Sequence, residues 1–273
     1  MMKKCKFDSK YPIIQRVIQM VEQVKDVNLT DYLLLSCTKE HCSLLFADLS
    51  EEAFTELMEL MLFIDYKKGE LIFQEGSLAS GIYIICSGQM KYGKYSANKR
   101  KKRLLKIFEH KEILELETVC QKGSPTYIGY AKALTDTRVA FIEREAFNTF
   151  LKAHPRALFK LCEEVTRELR VFECRLVEHA YGTIEENMAR LFLILGDRYG
   201  VVDELGLRID IELSRSDLAS LLGISIETAI RFLSQLKDNG LISLRDREII
   251  ITDRQGLESL VSLPTTCVEE CLV

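Results

Sequence analysis

The sequence lacks a long apolar run and lacks a targeting segment. Its longest uncharged stretch, residues 76–90, contains 15 residues and is interrupted by Gly81 and Gly88, whereas a transmembrane helix needs about 20 apolar residues. The first residues are basic but precede neither an apolar segment nor a small-residue cleavage site, so we expect no signal peptide. These absences predict a cytoplasmic protein that has no membrane partner.

The sequence also lacks an excess of positive charge. Its 273 residues include 37 Lys and Arg against 41 Asp and Glu, which gives a formal net charge of -4. Any contact with nucleic acid must therefore depend on the local placement of charge and not on bulk attraction. The hydrophobic fraction of 47% is sufficient for one large or two modest domains with their own cores, which excludes a disordered chain.

Signatures of catalysis and of a disulfide framework are missing as well. The sequence contains no glycine-rich phosphate loop, zinc-ligand pair or nucleophile elbow, so we expect no enzyme. The nine cysteines are odd in number and form no dense short-range pairs, in a chain far larger than a disulfide-stapled secreted module. Reduced thiols in a cytosol fit this pattern better.

An N-terminal extension, residues 1–43, contains the pattern of an amphipathic helix. Its apolar residues recur at spacings of three and four: Ile14, Val17, Ile18, Val21 and Val24. The apolar face of this helix either packs on the next domain or binds a partner or an effector.

Residues 44–150 consist mainly of short β segments that end at glycines. Gly69, Gly76 and Gly88 mark turns in which glycine adopts positive φ without steric cost. Strands that recur about every ten residues predict an antiparallel roll, sandwich or barrel. Residues 91–106 include eight Lys and Arg and no acidic residue. This basic segment indicates either a solvated hairpin tip or a contact for an anion, a nucleic-acid backbone or an acidic protein surface.

A long helix is predicted within residues 151–181. Its apolar residues follow one another at steps of three and four, close to the heptad seam along which two helices pair, while charged residues cover the other faces. We therefore predict a dimerisation helix whose interface consists of Leu158, Leu161, Val165, Leu169, Phe172 and Leu176.

Residues 182–261 have the element order of a winged helix-turn-helix. Ser214 and Asp217 have the spacing of a capping box at the start of one helix. Gly223 ends this helix, and Ser225 caps the next one. A β hairpin with its tip at residues 245–247 follows. Two helices joined by a tight glycine turn and followed by a hairpin are typical of a DNA-reading module.

The segment from residue 213 to 242, LSRSDLASLLGISIETAIRFLSQLKDNGLI, strongly resembles the helix-turn-helix of the Crp/Fnr superfamily of bacterial transcription regulators. Further landmarks resemble that family's β-roll and hinge in the same order: KGE at 68–70, FQEG at 73–76, IYIICSG at 82–88 and HP at 154–155. The resemblance covers about residues 42–261. It implies an α+β homodimer with a jelly-roll-like, cyclic-nucleotide-binding-like sensor domain at 44–150, a dimerisation helix at 151–181, a winged helix-turn-helix domain at 182–261 and a tail at 262–273.

Glu227 and Arg231 are the expected base-reading pair. They are four residues apart and therefore share one face of the second helix. A carboxylate there accepts a hydrogen bond from cytosine, and a guanidinium donates two to guanine. Their similarity to the family's Glu-x-x-x-Arg pair implies palindromic sites with a TGA-like half-site core. Ile230, where many relatives have serine, is a third candidate for base readout.

Phosphate contacts are expected from the starts of the two helices and from the wing. The candidates are Ser214, Arg215, Ser216, Thr228, Arg245 and Arg247. The two wing arginines are equally compatible with solvated turn charge. Because five basic and five acidic residues balance each other over 225–254, we expect weak nonspecific DNA binding with a modest dependence on salt.

The resemblance also predicts what the sensor domain does not bind. The family's archetype holds cyclic AMP with a glutamate and an Arg-Ser pair, and these positions are Leu116, Tyr127 and Ile128 in this chain. No cation is present there to pair with a phosphate, and the neighbouring Glu115 and Glu117 would repel one. We expect these five residues to form an effector pocket that does not bind cyclic AMP in the usual mode.

No metal or cofactor is predicted. An oxygen-sensing branch of the family carries an iron-sulfur cluster on four cysteines, but Cys37 and Cys42 lack the third and fourth partners at the matching positions. An iron-sulfur cluster, a redox-active thiol and haem stay open as alternatives. The effector is therefore an unidentified small molecule or redox signal.

Together, these features predict a sequence-specific transcription regulator. Its expected partners are double-stranded DNA, a second copy of the chain and RNA polymerase, for which the basic segment 91–106 is a candidate surface. The alternative is a regulatory or scaffolding module that has the cyclic-nucleotide-like domain but does not bind DNA. Glu227 and Arg231 discriminate between these two hypotheses, since only the first requires them.

Overall fold

The computed structural model of the protein describes residues 46, 48–96, 102–246 and 248–261, without the side chains of 175–181. All of these residues belong to one compact unit that begins at Ser43. The predicted N-terminal helix and C-terminal tail lie outside the described residues, as do residues 97–101 of the basic segment.

Within the described residues, eight β-strands form a roll of two four-stranded antiparallel sheets. Counted along the chain, one sheet has the order first, eighth, third and sixth strand, and the other has the order second, seventh, fourth and fifth. Gly88 makes the turn between the third and fourth strands with φ of 84°. A Cβ there would lie 2.4 Å from the carbonyl oxygen of Asp136, so both the conformation and the space require glycine. The elements are α1 (Glu51–Glu59), β1 (Leu62–Tyr66), β2 (Leu71–Phe73), β3 (Gly81–Ser87), β4 (Met90–Tyr95), β5 (Lys102–Phe108), β6 (Ile113–Leu114), α2 (Glu117–Cys120), β7 (Tyr130–Ala133) and β8 (Thr137–Glu143).

Apolar and aromatic side chains from both sheets form the core of the roll. Ile85 of β3 and Val139 of β8 are fully buried together with Met90 and Ala131 of the other sheet. Each strand contributes alternate side chains to this core because successive residues point to opposite faces. The predicted antiparallel roll is confirmed.

Two helices follow the roll and meet at His154. Helix α3 covers Arg144–Ala153, and helix α4 covers Pro155–Tyr181. Pro155 starts the second helix because its missing N–H is not needed in a first turn. The imidazole Nε2 of His154 lies 2.8 Å from Oε2 of Glu56 in α1, which ties this junction to the start of the roll.

The C-terminal part of the chain is a winged helix, as predicted. Its sheet has the order β11-β12-β10-β9. Ser214 and Asp217 form the capping box, and Gly223 makes the turn between the two central helices with φ of 67°. The elements are α5 (Ile184–Tyr199), β9 (Gly200–Asp203), β10 (Gly206–Ile209), α6 (Arg215–Leu221), α7 (Ile226–Asp238), β11 (Ile242–Arg245), β12 (Glu248–Ile251) and α8 (Arg254–Ser259).

The roll and the winged helix pack against each other. Leu104 and Ile107 of β5 belong to the same buried cluster as Leu218 of α6. Beside this cluster, Nε of Arg198 in α5 donates to Oε1 of Glu109, which follows β5, at 2.7 Å. The orientation of α6 and α7 therefore depends on the roll as well as on the connection through α4.

Candidate nucleic-acid interface

Helix α7 has one buried face and one exposed face. Ser225 caps the start of the helix, and its Oγ accepts a hydrogen bond from the backbone N–H of Thr228 at 3.1 Å. Ala229, Leu233 and Leu236 follow at steps of four and three and are buried in the core of the winged helix. This burial fixes which side chains of the helix face outward.

The outward face of α7 carries the three candidate base-readout residues. Glu227, Ile230 and Arg231 are all exposed, and the exposed fraction of Ile230 is 49%. Glu227 and Arg231 lie one turn apart on this face. The guanidinium carbon of Arg231 is 5.2 Å from the ring centroid of Phe232, a cation–π contact that supports the side chain. A carboxylate and a guanidinium are thus presented side by side on an exposed helix.

The first turn of α6 presents three of the candidate phosphate contacts. Ser214 and Ser216 are exposed, and Arg215 is half-buried. The Nη1 atom of Arg215 is buried and makes no hydrogen bond to a described residue. Burial lowers the pKa of this guanidinium, which nevertheless stays charged because arginine titrates far above neutral pH. Arg215 therefore places a positive charge on the first turn of α6.

The other candidate phosphate contacts are more restricted. The hydroxyl of Thr228 lies 3.0 Å from the Oγ of Ser225, within the cap of α7. On the wing, Nη2 of Arg245 lies 3.5 Å from Oδ1 of Asp203, so this cation already faces an acidic neighbour. Arg247 lies outside the described residues.

The predicted effector residues are divided between the core and the surface. Glu115, Leu116 and Tyr127 are buried, whereas Glu117 and Ile128 are exposed. The ring of Tyr127 stacks on the ring of Phe73, and its hydroxyl lies 3.3 Å from that of Tyr83. Of the three positions that the resemblance assigns to the ligand contacts, Leu116 and Tyr127 therefore pack against the chain itself, whereas Ile128 does not.

Glu115 is the only buried acidic residue in the part of the chain that the structure describes. It is 5% exposed and adopts φ of 67°, which is uncommon for a residue other than glycine. Burial, together with repulsion from Glu117, raises its pKa to about 8, although a hydrogen bond from Tyr92 opposes this shift. Glu115 lines a cavity of about 600 Å³ between the roll and helices α4 and α5. At neutral pH this carboxyl group is protonated.

Helix α4 presents an exposed apolar stripe. Leu161, predicted for this interface, is instead 3% exposed and packs inside the chain. The exposed Cys162 belongs to the stripe instead. Cys162 follows Leu158 by four residues, a spacing that places both side chains on the same face of the helix. The side chain of Leu176 lies outside the described residues. The remaining members of the predicted interface are between 43% and 58% exposed: Leu158, Val165, Leu169 and Phe172.

Two cations of the basic segment are engaged within the chain. Nζ of Lys91 lies 2.5 Å from Oδ2 of Asp217 in α6, and Nζ of Lys106 lies 2.6 Å from Oε1 of Glu168 in α4. These two lysines therefore belong neither to a solvated hairpin tip nor to a surface that contacts another molecule. No sequence signal could have revealed the first pair, because its partners are 126 residues apart.

The described residues contain no group of three or more His, Cys, Asp or Glu side chains placed to hold a metal ion. Four cysteines lie among them, and no disulfide bond joins any two of these four: Cys86, Cys120, Cys162 and Cys174. Cys37 and Cys42, considered for an iron-sulfur cluster, lie outside this part of the chain. No helix within it is long and apolar enough to cross a membrane.

A β-roll, a long connecting helix and a winged helix with an exposed Glu-Arg pair together define a class of protein, the DNA-binding regulators with a cyclic-nucleotide-binding-type sensor domain. Comparison with known families agrees with this class. A cyclic nucleotide-binding domain matches residues 63–154, and a Crp-like helix-turn-helix domain matches residues 186–260. The chain belongs to the Crp/Fnr superfamily and is a DNA-binding transcription regulator of this type.

Relatives in sequence are bacterial transcription regulators. The chain is 25% identical over 213 residues to a CRP-like cAMP-activated global transcriptional regulator of Mycobacterium tuberculosis, which covers 78% of this chain and 94% of that protein. It is also 25% identical over 187 residues to the transcriptional activator protein anr of Pseudomonas aeruginosa. This match covers 68% of this chain and 75% of that protein.

Solved structures of the same fold include FixK2 from Bradyrhizobium japonicum, with a TM-score of 0.63, 24% identity and coverage of 74% of this chain and 98% of that one. Another is the c-di-GMP responsive regulator CLP of Xanthomonas campestris, with a TM-score of 0.65, 19% identity and coverage of 74% and 99%. At these identities the likeness establishes the fold alone.

Proposed function

We propose that the protein is a homodimeric, sequence-specific transcription regulator that binds palindromic DNA with a TGA-like half-site core. The observation that carries this proposal is the exposed pair Glu227 and Arg231, one turn apart on α7. An arginine fork donates twice to guanine O6 and N7, and a carboxylate accepts from the amino group of the paired cytosine. Ile230 contacts the outer base of the half-site.

The backbone of the DNA is held by the first turn of α6. Ser216 provides an exposed hydroxyl and Arg215 a guanidinium for one phosphate region, whereas the hydroxyl of Ser214, on the same turn, already donates to Asp217. Thr228, Arg245 and Arg247 complete the phosphate contacts from the start of α7 and from the wing. Contacts to phosphates fix the register of the protein on the duplex but do not distinguish sequences.

The homodimer forms along α4. Its stripe of Leu158, Cys162, Val165, Leu169 and Phe172 follows steps of four, three, four and three, which is the heptad pattern of paired helices. Exposed apolar residues in such a continuous line favour a partner surface over solvent. Pairing along α4 would place two α7 helices in successive major grooves, roughly 34 Å apart.

The controlling signal is not cyclic AMP bound in the usual mode. Tyr127 and Leu116 occupy the core at the positions that the family uses for the ligand, and neither carries a charge that could pair with a phosphate. RNA polymerase is the expected protein partner on DNA, as the curated activators among the relatives suggest. Since Lys91 and Lys106 are engaged within the chain, the other cations of the basic segment are the candidate surface for it.

Fluorescence anisotropy on a labelled palindrome with TGA half-sites tests this function. The wild-type protein should bind it more tightly than a scrambled duplex of equal length, and Arg231→Ala should lose this preference. Lys237→Ala is the matched control, because Lys237 is an exposed cation at the other end of α7, and it should keep the preference. Equal binding of both duplexes by the wild-type protein would favour the regulatory or scaffolding module that does not bind DNA.

A further inference from the structure

The sensor roll places one cation against the DNA-binding domain. Lys91 of β4 reaches Asp217 in the first turn of α6, with 2.5 Å between Nζ and Oδ2. The two side chains are only 20% and 18% exposed. Leu104 of β5 and Leu218 of α6 lie in the same buried cluster and hold the two domains together beside the pair.

Asp217 is fixed and ionised in this position. Its Oδ2 accepts hydrogen bonds from the backbone N–H of Ser214 at 2.9 Å and from the hydroxyl of Ser214 at 2.7 Å. Burial works against ionisation, but the bonds from Lys91 and Ser214 outweigh it and lower the pKa of this carboxyl below its ordinary value. The capping box therefore holds a negative charge at the start of α6.

This charge lies on the turn that is proposed to meet the DNA backbone. Ser214 and Ser216 are exposed on the same turn, and Arg215 is its only cation. Arg215 and Asp217 cancel each other, which leaves the turn neutral, whereas Lys91 brings its net charge to +1. A phosphate that approaches a neutral turn with a nearby carboxylate gains little electrostatic attraction. Between groups in contact, one additional charge changes the electrostatic interaction energy appreciably.

We propose that Lys91 is a positioning residue for DNA binding, contributed by the sensor domain, that neutralises Asp217 and so makes the first turn of α6 attractive to a DNA phosphate. The proposal rests on the proposed function. It makes operator affinity dependent on the docking of the roll against α6. Because coupling between two binding events is reciprocal, a signal that displaces β4 weakens DNA binding, and DNA in turn favours the docked arrangement.

Four variants of the full-length protein separate charge neutralisation from other roles of Lys91. Lys91→Ala leaves Asp217 uncompensated and should bind the TGA palindrome roughly tenfold more weakly, since each half-site loses about one unit charge of attraction. Asp217→Asn keeps an oxygen that caps α6 and should bind at least as tightly as wild type. The double variant Lys91→Ala/Asp217→Asn should recover wild-type affinity. Lys122→Ala, at an exposed lysine of the roll outside the basic segment, is the matched control and should change nothing.

The readouts are anisotropy on the palindrome and on the scrambled duplex, with thermal unfolding of each variant. Lys91→Ala should weaken binding to both duplexes by the same factor, because the base-reading face of α7 is untouched. Should this variant fold poorly, Lys91→Arg, which preserves the charge, should bind like wild type and Lys91→Gln should not.

Three results would overturn the proposal. A double variant as weak as Lys91→Ala would mean that Lys91 contacts the phosphate directly. Weak binding by Asp217→Asn alone would mean that the pair serves only to hold the domains together. Wild-type affinity in Lys91→Ala would remove any role in binding. Failure of the proposed function is distinct from all three, because the wild-type protein itself would then not prefer the palindrome.

Discussion

The ring of Tyr127 stacks on the ring of Phe73, with 4.1 Å between the ring centroids. The resemblance to the Crp/Fnr archetype matches Tyr127 to the arginine that clamps a cyclic phosphate there. The exchange replaces a cation that faces a ligand with an aromatic ring that faces the core. The roll of this protein therefore has the fold of a cyclic nucleotide-binding domain, with Tyr127 and Leu116 buried in its core at two of the matched positions.

Calorimetry with cyclic AMP checks this conclusion. We expect no saturable heat at ligand concentrations up to the high micromolar range, because no cation of the clamp is present and Tyr127 and Leu116 are packed in the core. Saturable binding with a dissociation constant in the micromolar range would contradict the account.

The packing of Tyr127 should be measurable as stability. Tyr127→Ala removes a buried ring and should lower the free energy of unfolding by about 3 kcal/mol or more, as for other large aromatic side chains in cores. Ile128→Ala is the matched control, because Ile128 is exposed beside it, and we expect a change below about 1 kcal/mol. Denaturant titrations of both variants provide the measurement. Similar losses in the two would mean that Tyr127 is not part of the core.

Glu115 should make stability depend on pH. Its pKa is raised from 4.5 to about 8 in the folded protein, so the folded state binds a proton that the unfolded state has released. Stability is therefore greatest below the unfolded pKa and falls as the pH rises toward 8, by roughly 1.4 kcal/mol for each pH unit between the two pKa values at most.

Unfolding of wild type and Glu115→Gln by denaturant from pH 5 to pH 8 tests this dependence. The variant should gain stability relative to wild type as the pH rises, because its amide has no proton to lose. Glu59→Gln, at an exposed position of α1, is the control and should show a constant difference. A constant difference for Glu115→Gln as well would show that the carboxyl is not buried in its protonated form.

The apolar stripe on α4 predicts the oligomeric state. Leu169→Glu places a charge in the middle of the stripe and should convert the dimer to a monomer, since a buried unpaired carboxylate opposes pairing. Leu205→Glu is the control, because Leu205 is similarly exposed but lies on the hairpin between β9 and β10. Sedimentation or light scattering should report a dimer for wild type and for Leu205→Glu. A wild-type monomer, or a dimer that survives Leu169→Glu, would refute pairing along α4.

The winged helix could be predicted from sequence because its signals are local. Ser214 with Asp217, Gly223 and Ser225 each specify a cap or turn within a few residues, and the structure contains all of them. These local signals also locate Glu227 and Arg231 on the exposed face of α7. The same reasoning could not find the contact between Lys91 and Asp217, because it depends on how two domains dock.

The exposed face of α4 could not be predicted fully from sequence, for a different reason. Steps of three and of four after Leu158 both fit a helix, so the prediction of Leu161 could not be tested against Cys162 by spacing alone. Only the packing of the rest of the chain decides which side is covered, and it buries Leu161. The burial of Glu115 could not be predicted for the same reason. A charged residue close to Glu117 in the sequence is expected at the surface, and only the packing of the roll buries it.

The most direct test of the account is an exchange of bases combined with removal of Arg231. Anisotropy is measured for wild type and Arg231→Ala on the TGA palindrome and on a duplex in which each half-site guanine is replaced by adenine. Wild type should lose about 1 to 3 kcal/mol of binding free energy per half-site on the altered duplex, and Arg231→Ala should bind both duplexes equally. An equal loss in wild type and variant would contradict base readout by Arg231 and with it the central claim.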